Sequence, residues 1–175
     1  MTLGARGARW PLALLVGSLI ALGWAAFTTS PPRLAYNASD SVPVGWYRIS
    51  PADSLAPGDL VLVRLPPDVR SLAAQRGYLP ANVPLLKTVA AMAPQRVCVQ
   101  ASQVRINGEL VARRLKWDLQ GRALPAWQAC RRLVSDELFL LSSSNLASFD
   151  SRYFGPISAD AVIGRAQPLW LESRR

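Results

Sequence analysis

The run Trp10-PLALLVGSLIALGWAAF-Thr28 carries no charge, and it constrains this chain more than anything that follows it. From Pro11 to Phe27 it is 27 − 10 = 17 residues long, at the short end of what crosses a bilayer as a helix. Trp10 and Trp24 suit interfacial positions. Arg6 and Arg9 stand before the run, and no acidic residue occurs before Asp40, so the positive-inside rule puts the N-terminus in the cytoplasm. The expected organisation is a cytoplasmic segment 1–9, a transmembrane anchor 10–28 and a body 29–175 in the periplasm, held as a single-pass protein of a bacterial inner membrane. A cleaved secretory signal, with Ala25 and Ala26 near the cut, accounts for the same residues. Both readings export the body.

The 175 residues suffice for an anchor and one catalytic domain. There is no histidine. Its absence excludes Ser-His-Asp and Cys-His catalysis and the commonest metal ligand. Any nucleophile must find its base in Lys, Asp, Glu or an amine. The net charge of +9 comes from 20 Lys+Arg against 11 Asp+Glu, and only Lys87 and Lys116 are lysines. The arginines are scattered and do not interleave with aromatics, so no nucleic-acid partner is expected; a solvated basic surface, partly facing anionic lipid of the inner membrane, is. Cys98 and Cys130 are 130 − 98 = 32 positions apart, with no CxxC, so a zinc site is not expected. In an exported body they are expected to pair as a structural disulfide, the alternative being two buried thiols. No metal and no cofactor is expected.

Behind the linker Thr28–Pro32 the body reads mainly as strands. Gly45–Ile49, Leu60–Leu65, Arg96–Val99, Gln103–Ile106, Glu137–Leu141, Val162–Ala166 and Pro168–Leu171 are strand-like, and Asn107-Gly108 marks a tight hairpin. One helix is expected over Val69–Gln75, capped by Asp68 and closed by Gly77. The fold class is therefore mainly β with one small helical insertion, preceded by a single transmembrane helix.

Three segments carry residues that could do chemistry. Lys87 sits in Val83-PLLKTVAA-Met92, and no other charge falls between Arg76 and Arg96. Burial there disfavours the ammonium, and a neutral amine can take a proton from a serine. A lysine snorkelling from a strand edge is the alternative. Ser41, in Asn37-ASDSVPVGW-Tyr47, precedes Pro43 and Gly45, which first restrict and then free the backbone. An ordinary polar loop reads the same way. In Ser142-SSNLASFDSRYFG-Pro156, Asp150 and Arg152 are two apart and point to one side of an extended segment, where they can pair and stiffen a loop. Ser148 can bond a catalytic amine, and a Ser/Asn-rich turn is the plain alternative.

Taken in order behind an anchor, the three segments resemble the signal peptidase family of Ser-Lys proteases. Ser41-x-Pro43-x-Gly45-x-Tyr47 is similar to the family's nucleophile box, Leu86-Lys87-x-Val89-Ala90 to its base box, and Ser148-x-Asp150-Ser151-Arg152-Tyr153-x-Gly155 to its C-terminal box. Pro57-Gly58-Asp59 and the Asn107-Gly108 hairpin add to the likeness. Arg76-Gly77-Tyr78-Leu79-Pro80 resembles the TraF-type branch, whose members act in conjugative transfer. Val42 stands where general signal peptidases usually have methionine, and Ala93-Pro94-Gln95 where they often have Pro-Gly-Asp. Both departures point away from general secretory processing.

The resemblance implies a signal-peptidase-like β catalytic domain and a serine endopeptidase with Ser41 as nucleophile and Lys87 as base. It implies that Ser148 orients Lys87, and that Asp150 and Arg152 brace the site, with a more direct catalytic part for Asp150 in the TraF-type branch. The Ser41 N–H, and more weakly Ser39, would donate to the oxyanion. The implied substrate is a membrane-bound precursor, a conjugative pilin that is cleaved and can be cyclised, beside a conjugative secretion apparatus. A general leader peptidase for secreted proteins and a non-enzymatic membrane-anchored scaffold of a transfer system are the rival functions.

Overall fold

A computed structural model describes residues 9–27, 32–142 and 144–172. The chain forms two compact units, Met1–Pro31 and Pro32–Arg175. In the first, helix α1 runs over Arg9–Phe27, and its apolar side chains from Trp10 to Leu22 are exposed all along it. The expected anchor is thus helical. Among the described residues, however, no helix is long and apolar enough to cross a membrane. Residues 1–8 of the expected cytoplasmic segment, linker residues 28–31 and Ser143 lie outside the described residues.

The second unit is mainly β, as expected. Its elements are β1 (Leu34–Asn37), β2 (Gly45–Ser50), β3 (Leu60–Val63), α2 (Pro67–Gln75), β4 (Leu85–Met92), β5 (Arg96–Gln100), β6 (Gln103–Ile106), β7 (Glu109–Arg113), β8 (Ala129–Arg132), β9 (Glu137–Leu141), α3 (Ser151–Phe154), β10 (Ile157–Ser158) and β11 (Val162–Leu171). A seven-stranded sheet has the order β1-β2-β11-β3-β4-β9-β10, and a four-stranded sheet the order β7-β6-β5-β8.

Strand β9 explains why a short apolar run, Leu138–Leu141, belongs in the interior. Leu138 and Leu140 pack into one cluster with Val61, Val63 and Val89, while Phe139 and Leu141 pack into another with Val97, Val99 and Val104. Successive side chains of a strand point to opposite faces, so a strand covered on both faces cannot alternate with polar residues. A third cluster joins Val42, Tyr47 and Ile49 of the Ser41 loop and β2 to Leu62 and Leu86. Strand β4 therefore runs from the neighbourhood of Ser41 into the middle of the body.

Several expectations are corrected in detail. The strand expected over 60–65 stops at Val63. The two C-terminal strands are one strand, β11, with a register shift between Pro168 and Trp170. Helix α2 begins at Pro67, not Val69; Pro66 is its N-cap without a side-chain bond, and Asp68 lies inside the first turn. Proline needs no N–H partner there, and a carboxylate in the first turn still favours the helix dipole. The short helix α3, whose cap is Asp150, was not expected.

Candidate active site

Strands β1 and β2 pair up to Asn37 opposite Gly45, and the loop 38–44 between them carries Ser41. Asn37 holds this loop. Its Nδ2 donates to the carbonyls of Ser39 at 2.8 Å, Val42 at 2.9 Å and Pro43 at 3.1 Å, and its Oδ1 accepts from Ser39 N at 3.2 Å. Buried Tyr47 adds a hydroxyl bond to the Pro43 carbonyl at 2.6 Å. Gly45 has φ +146, and a Cβ there would lie 2.1 Å from the Trp170 carbonyl oxygen. Only glycine lets β11 close against the end of the loop.

Lys87 is on β4, paired with Val61 of β3. It does not reach water: its relative exposure is 0%. Its Nζ donates to Ser148 Oγ, and Ser148 Oγ lies 3.4 Å from Ser41 Oγ. Among the described residues no hydrogen bond joins Lys87 to Ser41 directly, so Ser148 is the link between them. Burial lowers the Lys87 pKa to about 8, against the opposing pull of Asp150 and with a smaller push from Arg152. An amine held there is neutral in an appreciable fraction of molecules near neutral pH.

Ser39 Oγ donates to Asn37 Oδ1 at 2.8 Å and lies 3.1 Å from Ser41 Oγ. The Ser41 carbonyl accepts from Ser142 Oγ at 2.6 Å. Ser142 N in turn donates to Asp150 Oδ2 at 2.9 Å.

Asp150 and Arg152 form an ion pair at 2.7 Å with both side chains at 0% exposure. They meet because Asp150 caps α3, accepting from Arg152 N at 3.2 Å, and not because an extended segment turns them the same way. The remaining Arg152 donors reach the carbonyls of Arg113, Leu146, Ser142 and Asn145 at 3.1–3.4 Å. The Asp150 oxygens are taken by Arg152 and by Ser142 N, and no hydrogen bond from Asp150 to Lys87 or Ser41 is present among the described residues. Its influence on Lys87 is through charge.

The structure thus brings Ser39, Ser41, Lys87 and Ser148 into contact and sets Asp150 and Arg152 behind them. Cys98 and Cys130 face each other across β5 and β8 and are bonded. Among the described residues no cluster of His, Cys, Asp and Glu could hold a metal. Sequence reasoning missed Asn37, Tyr47 and Ser142 as supports. An asparagine ending a strand just before a Ser-rich loop is the one local signal, since such side chains bond nearby backbone.

Ser41 stands where two cavities meet. One, of about 510 Å³, is largely apolar and lies along β1 and residues 79–86. The other, of about 290 Å³, is lined by Lys87 and Ser148 and walled by residues after α2 and before β8. Of the described residues, Ser39 and Ser41 alone line both.

The Ser41 loop, a buried lysine and a buried Asp-Arg pair thus lie together on this two-sheet body. The chain belongs to the signal peptidase family, peptidase S26, whose model matches residues 7–171. Within that family it is similar to TraF-type transfer proteins, the branch that Arg76-Gly77-Tyr78-Leu79-Pro80 implied. It is 37% identical over 142 residues to a probable conjugal transfer protein TraF of Sinorhizobium fredii, covering 76% of this chain and 74% of that one. It is 36% identical over 144 residues to a plasmid transfer protein TraF of Escherichia coli, covering 76% and 80%. It is 34% identical over 147 residues to a conjugal transfer protein TraF of Agrobacterium fabrum, covering 77% and 80%. A signal peptidase I from Enterococcus faecalis superposes with a TM-score of 0.40 at 18% identity, covering 65% of this chain and 97% of that one. The family makes this chain a serine peptidase of the signal peptidase type.

Proposed function

We propose that the chain is a membrane-anchored endopeptidase of conjugative transfer that processes a membrane-bound precursor, with Ser41 as nucleophile and Lys87 as general base. The observation that carries this reading is the fully buried Lys87, its pKa lowered to about 8 and linked through Ser148 to Ser41 at the junction of two cavities. Neutral Lys87 takes the Ser41 proton, directly on a small movement or through the Ser148 hydroxyl, as Ser41 Oγ attacks the scissile carbonyl. The Ser41 N–H and Ser39 Oγ are the proposed donors to the oxyanion. Ser148 positions the amine. Asp150 and Arg152 fix the loop behind it, and the Asp150 charge keeps the Lys87 pKa from falling further.

Strand β1 is outermost in its sheet, and the apolar cavity runs along it. An extended precursor segment lying on such an edge would place small or apolar side chains in the cavity and its carbonyl over Ser41. The apolar surface of α1 supports an anchor that holds this site at the periplasmic face of the inner membrane, where a precursor is itself tethered. Relatives named for conjugal and plasmid transfer favour a role in conjugative transfer over general secretory processing, and the pilin-like substrate is what the family resemblance implies.

The test is the intact mass of the candidate pilin, from cells carrying wild type, Ser41→Ala or Lys87→Ala at matched protein levels. Loss of processing in both variants is expected, and the wild-type product mass separates a linear from a cyclic end. Processing that continues in both would sink the reading and leave a scaffold role.

A further inference from the structure

The smaller cavity beside Ser41 has a built outer wall that Ser-Lys chemistry does not require. One part is the turn after α2, Arg76–Tyr78. The other is a hairpin over residues 116–124, closed by a bridge between Trp117 and Ala123 and turned at Gly121, where φ is +73. The two parts are latched together. Tyr78 donates its hydroxyl to Asp118 Oδ2 at 2.5 Å, and Arg122 Nε donates to the same oxygen at 2.7 Å. Arg122 also donates to the Arg76 carbonyl at 2.9 Å, while Arg76 donates to the Ala123 carbonyl at 2.7 Å. Hydrogen bonds with a charged partner are roughly twice as strong as neutral ones, and several in one network fix a loop. At the hairpin tip Leu119 is 94% exposed, yet it and Gln120 line the cavity.

Proton transfer assigns a direction to the two cavities. The base that takes the Ser41 proton must return it to the departing nitrogen, so that nitrogen must lie beside the amine. Lys87 and Ser148 line the latched cavity and not the apolar one. Resting on the Ser41–Lys87 reading, we propose that the latched cavity binds the polypeptide on the leaving-group side of the scissile bond, and that the tip residues Leu119 and Gln120 set its sequence preference there.

The steps balance. The Ser41 Oγ–carbon bond forms, the carbon–nitrogen bond breaks, and the Ser41 proton passes through Lys87 to the released amine. In the second half an acceptor, water or a peptide amine, enters from the same side. Its proton passes through Lys87 to Ser41 Oγ as the acceptor–carbon bond forms and the ester bond breaks. The latch residues Arg76, Tyr78, Asp118 and Arg122 are positioning residues for whatever occupies this side.

The test uses the full chain in detergent and a library of proteome-derived peptides, with both ends of every cut sequenced. Leu119→Gly and Gln120→Ala lie on an exposed tip and leave the latch intact. They are expected to shift residue preference after the cut by about tenfold at one or more positions and to leave preference before the cut unchanged. Asp118→Asn, which weakens the latch, is expected to raise KM for a library peptide by more than it lowers kcat. Unchanged preference in both tip variants, or a change confined to positions before the cut, overturns the proposal while the peptidase reading stands. No cutting by wild type at all removes the peptidase reading and this proposal with it.

Discussion

Asp150 and Arg152 meet at 2.7 Å with neither side chain exposed to solvent, and every assigned bond of the guanidinium goes either to that carboxylate or to a backbone carbonyl. The pair ties α3 to the loop that carries Ser148 and to the end of β7. Burying two charges is costly unless all their bonding positions are met, and here the carboxylate and four carbonyls meet them.

Removing one partner leaves the other charged and buried. Arg152→Ala is expected to destabilise the body by about 3–5 kcal/mol. Arg152→Lys is expected to recover little, because one ammonium cannot span the same set of acceptors. Urea unfolding of the full chain in detergent, followed by tryptophan fluorescence, checks both.

Lys87 links stability to pH in the same sense as activity. Its folded-state pKa is about 8 against 10.5 for an unperturbed lysine. Below about pH 8 both the folded and the unfolded chain hold the proton, and the penalty on the buried ammonium is fully present. Between about 8 and 10.5 only the unfolded chain holds it, so stability rises with pH across that window. The difference of 10.5 − 8 corresponds to about 3 kcal/mol. Lys87→Met is therefore expected to raise stability by up to about 3 kcal/mol at pH 7, with the gain vanishing toward pH 10.5, and to abolish cleavage. Wild-type kcat is expected to climb through pH 8 as the amine loses its proton; a kcat that stays flat from pH 6 to pH 9 would exclude Lys87 as base.

Ser148 occupies the space between Lys87 and Ser41, 3.4 Å from the latter. Ser148→Ala is expected to lower kcat by roughly a hundredfold with KM little changed, and Ser148→Thr to restore much of it. Kinetics on one cleavable peptide across pH separate this from a general loss of fold, because a displaced Lys87 also moves the midpoint of the profile.

The Cys98–Cys130 bridge closes a loop of 32 residues that includes the hairpin 116–124. In the chain-entropy model its loss destabilises by about 3–4 kcal/mol. The Cys98→Ser, Cys130→Ser double variant is expected to melt lower by several degrees and to retain cleavage at low temperature. A calorimetric scan beside an activity assay at 15 °C tests this.

What was legible in the sequence was what local chemistry dictates. A charge-free stretch around Lys87 announced a buried lysine, and the apolar run Leu138–Leu141 behind Glu137 announced a buried strand. The Asn107-Gly108 turn was legible because its positive φ angles suit those residue types. What was not legible depends on partners far along the chain. Ser142 reaches Ser41 across 101 positions, and Tyr78 reaches Asp118 across 40. No spacing rule marks either pair. The Asp150–Arg152 contact was anticipated for the wrong reason, since the segment caps a short helix instead of running extended.

Ser142 gives with its hydroxyl to the Ser41 carbonyl and with its N–H to Asp150. One small residue thus makes the Ser41 loop and the C-terminal box a single mechanical part. Neither can drift by an ångström without the other following. A chimaera that exchanges one of these two segments with a relative would inherit a serine aimed at the wrong place, so the two must be exchanged, and must diverge, together.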